Sequence, residues 1–303
     1  MIWWLIAALV VAGIAALPFW LESRRGPPDA PRGGEILDLP QGDTYREWHG
    51  PSRGARVVAI HGLTTPSPVW GALAAGLGRL GYRTLTYDHL GRGASDNPAE
   101  PQDADHYVRH LHDLLGAEGL VEDVTLIGYS MGASVAVAYA AAHPERIKRV
   151  ILLAPAGIVT PRINSSFAVR WRGIGDWYYL ATEPARFRAE LRHVGRTPAV
   201  PDLPAVMAAQ TRRRGFFPSI LASRRGILSG PREAEHRKLA KDGVPLVAIW
   251  AAQDEVIPLS GLGRLAEWNR AAKQEVVAGA GHGLPYTHSD EVLALLSGIL
   301  QEP

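Results

Sequence analysis

The chain has 303 residues, 32 basic and 30 acidic, for a formal net charge of +2, with 47% hydrophobic and 20% charged side chains. That is the composition of a globular chain of one large or two ordinary domains, and it argues against a disordered chain and against a nucleic-acid binder driven by charge alone. There are no cysteines, which removes disulfide scaffolds, thiolate metal sites, cysteine nucleophiles and cysteine-linked lipid anchors.

At the N-terminus, residues 2–21 carry no charge. A helix of that length spans about 30 Å, the thickness of a bilayer's hydrocarbon core. Trp3 and Trp4 stand at one end and Trp20 at the other, where interfacial aromatic belts fall. Residues 1–21 are therefore expected to form a transmembrane anchor. The competing reading is a signal peptide cleaved on export. It is weakened by the missing Lys/Arg n-region and the lack of an A-x-A site before Pro18. Arg24, Arg25 and Arg32 follow at once, so the positive-inside rule places the bulk of the chain in the cytoplasm. Residues 22–35, rich in Pro and Gly, read as a semi-extended linker.

Beyond the linker, strands alternate with helices. Apolar, β-branched runs at 56–60, 83–87, 124–127, 150–153, 245–250 and 275–277 read as buried strands. Residues 36–39 and 44–48 fit an antiparallel edge hairpin. Helical patterns fall at 69–80, 105–115, 131–142, 262–271 and 290–300. This alternation predicts an α/β fold with a mainly parallel sheet covered on both faces. Residues 156–241 break it: they lack a clear strand and read as a mostly helical insertion. Residues 157–240 hold 14 Arg and 1 Lys against 6 acidic residues, a net of +9 that leaves −7 for the remainder. The core is thus expected in two halves, 36–155 and 242–303.

Three strand ends carry the chemistry. Gly128-Tyr129-Ser130-Met131-Gly132 is a G-x-S-x-G sequence between an apolar strand and an Ala-rich helix. Such a turn holds a serine strained and exposed, and its flanking glycines avoid clashes. The Met131 N–H then sits at a helix N-terminus, where it can stabilise an oxyanion. Against this nucleophile reading stands an ordinary N-cap serine. Asp254, after the strand at 245–250, is placed to orient an imidazolium, or else is a loop carboxylate capping the helix that follows, and Glu255 is its competitor. His282, in Gly279-Ala280-Gly281-His282-Gly283, has small neighbours that let its loop approach another strand's end. The order is Ser, Asp, His, with separations of 124 and 28 residues. His106, His110, His112, His143 and His236 lie in charged or helical contexts and are expected on the surface.

Residues 36–303 resemble an α/β-hydrolase of the lipase/esterase type with a cap domain, close to monoacylglycerol lipases and lysophospholipases. His61-Gly62-Leu63 matches the family's H-G-x, and Asp88-His89-Leu90-Gly91-Arg92-Gly93-Ala94-Ser95-Asp96 matches its D-x-x-G-x-G-x-S-D loop. The resemblance implies an α/β-hydrolase fold with an eight-stranded sheet and a helical cap at 156–241. It implies Ser130 as nucleophile, His282 as base and Asp254 as its partner. Leu63 and Met131 would supply the oxyanion N–H groups, with structural roles for His61 and Asp88. Position 130 is Ser, so the carboxylate-nucleophile dehalogenases and epoxide hydrolases are excluded, and the HGGG-type loop is absent. No metal cluster or phosphate-binding glycine loop is present, so no cofactor is expected. The resulting expectation is a membrane-anchored carboxylic-ester hydrolase acting on a small-molecule ester or lipid, with a basic, aromatic cap drawn to an anionic leaflet. A carbon–carbon bond hydrolase of ring-cleavage products, and a non-catalytic relative that binds membrane or partner through its cap, remain open alternatives.

Overall fold

A computed structural model describes residues 1–31, 33–160, 166–192 and 199–302, and the structural statements below concern these. Arg32, counted above among the cations after the span, lies outside them, as do 161–165 and 193–198 of the insertion.

The strands β1 (Glu35–Leu37), β2 (Thr44–His49), β3 (Ala55–Ile60), β4 (Tyr82–Tyr87), β5 (Val124–Tyr129), β6 (Ile147–Leu153), β7 (Leu246–Ala251) and β8 (Lys273–Val277) form one sheet, in the order β1-β2-β4-β3-β5-β6-β7-β8. β2 runs antiparallel to both its neighbours, β1 and β4, and the other pairings are parallel. The chain is an α/β-hydrolase fold. β5 and β7 are buried along their whole length, as central parallel strands must be when helices cover both faces. Their side chains alternate between two apolar cores. One contains Val58, Leu126, Val150 and Ala248, and the other contains Val57, Ile127, Ile151 and Val247.

The helices follow in chain order: α1 (Ile2–Ser23), α2 (Gly71–Arg79), α3 (Ala104–Ala117), α4 (Met131–Ala142), α5 (Phe167–Arg170), α6 (Ile174–Leu191), α7 (Leu203–Gln210), α8 (Phe216–Arg225), α9 (Glu233–Asp242), α10 (Gly261–Trp268), α11 (Leu284–Thr287) and α12 (Ser289–Gln301). α3 and α4 pack together on one face of the sheet, and α2 and α12 on the other. α5 to α9 occupy the interval between β6 and β7. α10 stops at Trp268, short of the 271 expected from periodicity. Asn269 leaves the helix with extended backbone, and its side chain accepts the Ala271 N–H at 3.1 Å. A local side-chain bond thus replaces a helical one.

Three histidines expected at the surface are buried. His106 and His110 share the inward stripe of α3 with Tyr107, Leu111 and Leu114, and His236 packs against Trp268. Charge around them in the sequence was misleading, because the helical period turns these rings inward while their charged neighbours face out.

α1 is 22 residues long, apolar and almost wholly exposed. By length and composition it fits a membrane anchor or a signal sequence. The segment after it is not a free tether. Glu22 is buried, accepts the Gly215 N–H at 2.7 Å and pairs with Arg25 at 2.6 Å. Arg25 also donates to the Thr211 carbonyl and lies over the Phe217 ring. Gly26 makes backbone hydrogen bonds with Arg212 and Arg214, and Asp29 accepts from Gln210. The residues from 22 to 29 are therefore fastened to α7, α8 and the turn between them.

Candidate active site

The site is built where β5 turns into α4. Ser130 has φ 53° and ψ −116°, a conformation that costs a non-glycine residue energy and persists only when its surroundings fix it. Those surroundings are backbone. The Ser130 N–H donates to Leu153, and the Ser130 carbonyl accepts from Ala133 and Ala156. The flanking glycines are required by close approach. A Cβ at position 128 would lie 2.4 Å from the Gly132 carbonyl oxygen, and one at position 132 would lie 2.1 Å from that of Ile60. Strand and helix can meet at this angle only without those side chains.

His282, on the loop between β8 and α11, reaches this turn. Its Nε2 lies 3.0 Å from Ser130 Oγ, and its Nδ1 lies 2.8 Å from Asp254 Oδ2. An ionised carboxylate only accepts, so the Nδ1 carries the proton and the Nε2 lone pair faces the serine hydroxyl. Asp254 follows β7, and its side chain is almost fully buried. Its Oδ1 accepts the N–H groups of Val256 and Ile257 at 2.8 and 2.7 Å. The sequence left two roles for Asp254, capping the helix that follows and orienting an imidazole; the carboxylate meets the imidazole and closes a local turn at Val256 and Ile257, while α10 begins later, at Gly261. Glu255, the competitor, is exposed. The structure thus brings Ser130, His282 and Asp254 into one relay.

Met131 is the first residue of α4, where helix N–H groups lack intrahelical acceptors. Leu63 lies on the loop after β3, and its carbonyl accepts from Arg92 Nε at 3.0 Å. Arg92 was passed over in the sequence as part of a structural loop. It is fully buried, and it also donates to the Leu90 carbonyl, to Gln102 Oε1 at 2.8 Å and to Ser223 Oγ at 2.7 Å. One guanidinium therefore ties the Leu63 loop to α8 of the insertion, and burial pulls its pKa below the usual arginine range. Tyr129 was also missed. Its hydroxyl donates to the His282 carbonyl at 3.0 Å and fixes the loop that carries the imidazole.

His61 and Asp88 hold the loops rather than reach Ser130. His61 Nδ1 donates to the Gly62 carbonyl, and its Nε2 accepts the His89 N–H at 2.9 Å. Burial pushes the His61 imidazole down to about 3. Asp88 accepts the N–H groups of Ser67 and Ala94, and burial raises its pKa despite them. Among the described residues, no group of three or more metal-ligating side chains is present. A cavity of about 660 Å³ opens away from the relay. Phe19 and Glu22 of α1, the segment around Pro101, and Leu180 and Leu221 of the insertion wall it. Gln102 and Ser219 line it too, and both also contact Arg92 or its partners.

A strained serine, buried but for about a tenth of its surface and facing an imidazole that a carboxylate orients, is an arrangement suited to nucleophilic attack on a carbonyl. Comparison with known proteins gives the same frame. A model of the alpha/beta hydrolase fold matches residues 55–289. The chain is 27% identical over 264 residues to a 2-hydroxymuconate semialdehyde hydrolase of Pseudomonas putida, covering 84% of this chain and 90% of that one. Among solved structures it resembles an esterase from Exiguobacterium antarcticum, with a TM-score of 0.73, 19% identity and coverage of 89% and 100%. A bromoperoxidase from Bacillus anthracis gives a TM-score of 0.73, 21% identity and coverage of 89% and 100%. At such identities the two structures bear on the fold alone. The family match extends from β3 to the start of α12 and takes in every residue of the relay, so the chain belongs to the alpha/beta hydrolase fold family.

Proposed function

We propose that this protein is a membrane-anchored serine hydrolase that cleaves carboxylic esters of lipid-derived, single-chain amphiphiles, of the monoacylglycerol or lysophospholipid kind. The observation that carries the reading is the relay itself, with Ser130 Oγ 3.0 Å from His282 Nε2 and His282 Nδ1 2.8 Å from Asp254. In the mechanism, His282 takes the hydroxyl proton as Ser130 Oγ attacks the ester carbonyl. The Leu63 and Met131 N–H groups receive the negative charge that develops on the carbonyl oxygen, each contributing about 3 kcal/mol. His282 then protonates the departing alcohol, leaving an acyl group on Ser130. Water, deprotonated by the same imidazole, releases the acid and restores the serine. Asp254 holds the imidazole in the useful tautomer and stabilises it when charged. No cofactor enters this chemistry.

The lipid assignment draws on α1, whose apolar surface suits a bilayer. Arg24 and Arg25 at the end of α1 support a reading with the relay on the cytoplasmic side. The similarity to a 2-hydroxymuconate semialdehyde hydrolase favours a second reading, in which the same serine and histidine cleave a carbon–carbon bond beside a ketone.

The test is fluorophosphonate labelling of the full chain in membranes, beside Ser130→Ala and His282→Ala. Labelling lost in both variants supports the activated serine, and absence of labelling in the folded wild type overturns it. Turnover of long-chain monoacyl esters against a ring-cleavage dienone then separates the two substrate classes. Preference for the dienone replaces the ester reading.

A further inference from the structure

The contact between α1 and the insertion fixes the depth of both. Trp177 of α6 donates its indole N–H to the carbonyl of Ile14, 3.1 Å away. Ile14 is eight residues before Glu22, the buried carboxylate that ends the apolar run. At the helical rise that is about 12 Å up the helix axis, close to the half-thickness of a bilayer's hydrocarbon core, about 15 Å. The attachment is rigid, because Glu22, Arg25 and Gly26 fasten the other end of α1 to Gly215, Thr211, Arg212 and Arg214. If α1 spans the membrane, the start of α6 cannot stay in water.

The surface there is suited to lipid. Among the described residues of the insertion, Phe167, Trp171, Ile174 and Tyr178 are the large apolar side chains that stand exposed, at 47%, 59%, 63% and 44%. All lie on α5, the first turns of α6 or the short link between them, beside the helix that meets Ile14. The exposed Arg170 and Arg172 lie among them, and the exposed Arg212 and Arg214 flank Gly26, where α1 ends. Aromatic side chains with arginines at their edge match the headgroup boundary of an anionic leaflet. Three other arginines of the insertion are paired within it: Arg224 with Glu183, Arg225 with Asp176, and Arg232 with Glu235.

We infer that α5 and the start of α6 form a second membrane-embedded element, seated in the proximal leaflet against α1, so that the insertion rests in the bilayer instead of hanging from a tether. The inference rests on the reading of α1 as a retained membrane helix.

The absence of cysteine gives a direct test. Single nitroxide labels are placed through Trp171→Cys and Ile174→Cys, with Leu9→Cys in α1 and Val121→Cys before β5 as references, all exposed positions. The full chain is reconstituted in vesicles of phosphatidylglycerol and phosphatidylcholine, and collision with oxygen and with an aqueous nickel chelate is measured. Labels at 171 and 174 are expected to meet oxygen readily and the nickel chelate several-fold less than the label at 121, as the label at 9 does. Nickel access at 171 and 174 equal to that at 121, with position 9 shielded, overturns the inference and leaves α1 as a lone anchor. Nickel access at position 9 as well removes the membrane reading of α1 and the inference with it.

Discussion

The turn at Ser130 and the insertion between β6 and β7 are held by different forces. Around Ser130 the geometry is set by backbone: a strained φ, three main-chain hydrogen bonds and two glycines with no room for a Cβ. The insertion is held by long side chains. Arg92 and Arg213 reach across to carbonyls and hydroxyls, Glu22 caps Gly215, and Glu183 pairs with Arg224. The first kind of site gives a fixed reacting geometry, while the second joins pieces distant in sequence and can be altered one contact at a time. Substitutions therefore separate the two regions.

The largest effect is expected at the relay. Asp254→Asn keeps an oxygen for the Val256 and Ile257 N–H groups but can present an amide donor to His282 Nδ1. The wrong tautomer follows, and ester kcat should fall about ten-thousand-fold with the thermal midpoint nearly unchanged. Equal loss of fold and activity would show that Asp254 serves chiefly to cap its turn.

Acid should act next, and on the core. Burial holds His61 and His110 down to about 3 and His236 down to about 4. In the unfolded chain each returns to about 6.5 and binds a proton the fold excludes. The unfolded state thus binds more protons between about pH 6.5 and pH 4, so stability rises with pH in that window and is lost as pH falls through it. Each imidazole removes about 2 kcal/mol at pH 5 relative to pH 7.5. Denaturant unfolding across this range, repeated with His236→Gln, should show a shallower slope in the variant.

Gly132→Ala places a methyl against the Ile60 carbonyl and should cost about 1–3 kcal/mol of stability, read by thermal melting. It should also slow hydrolysis, since Met131 must move with the helix. Arg92→Lys keeps a charge but loses the fork that joins the Leu63 carbonyl to Ser223. Its kcat should fall about tenfold or more with a smaller change in KM, because the donor it positions acts on the transition state. A change in KM alone would assign Arg92 to the insertion and not to the oxyanion loop.

These contrasts also explain what could be read from the chain beforehand. The strands were legible because short, largely apolar or β-branched runs alternate with helical patterns, and the sheet forms with the same eight strands shifted by a few residues at most. The approach of His282 to Ser130 was legible because each lies at a strand's C-terminal end, and parallel strands bring those ends together. Arg92 and Tyr129 were not legible, since their roles depend on partners 29 to 153 residues away. His106 and His110 are buried because helical period, not the charge of their sequence neighbours, sets which face of α3 turns inward. The docking of residues 22–29 was invisible in a Pro- and Gly-rich stretch, which looks alike whether it is free or held.

The most direct test of the central claim is to trap the acyl-enzyme. The full chain, in membranes, is mixed with a monoacyl ester and quenched in acid within one turnover, and its peptides are weighed. An acyl mass on the peptide containing Ser130, absent in Ser130→Ala, is the predicted result. Turnover that persists in Ser130→Ala, or an acyl group on any other residue, would contradict the account.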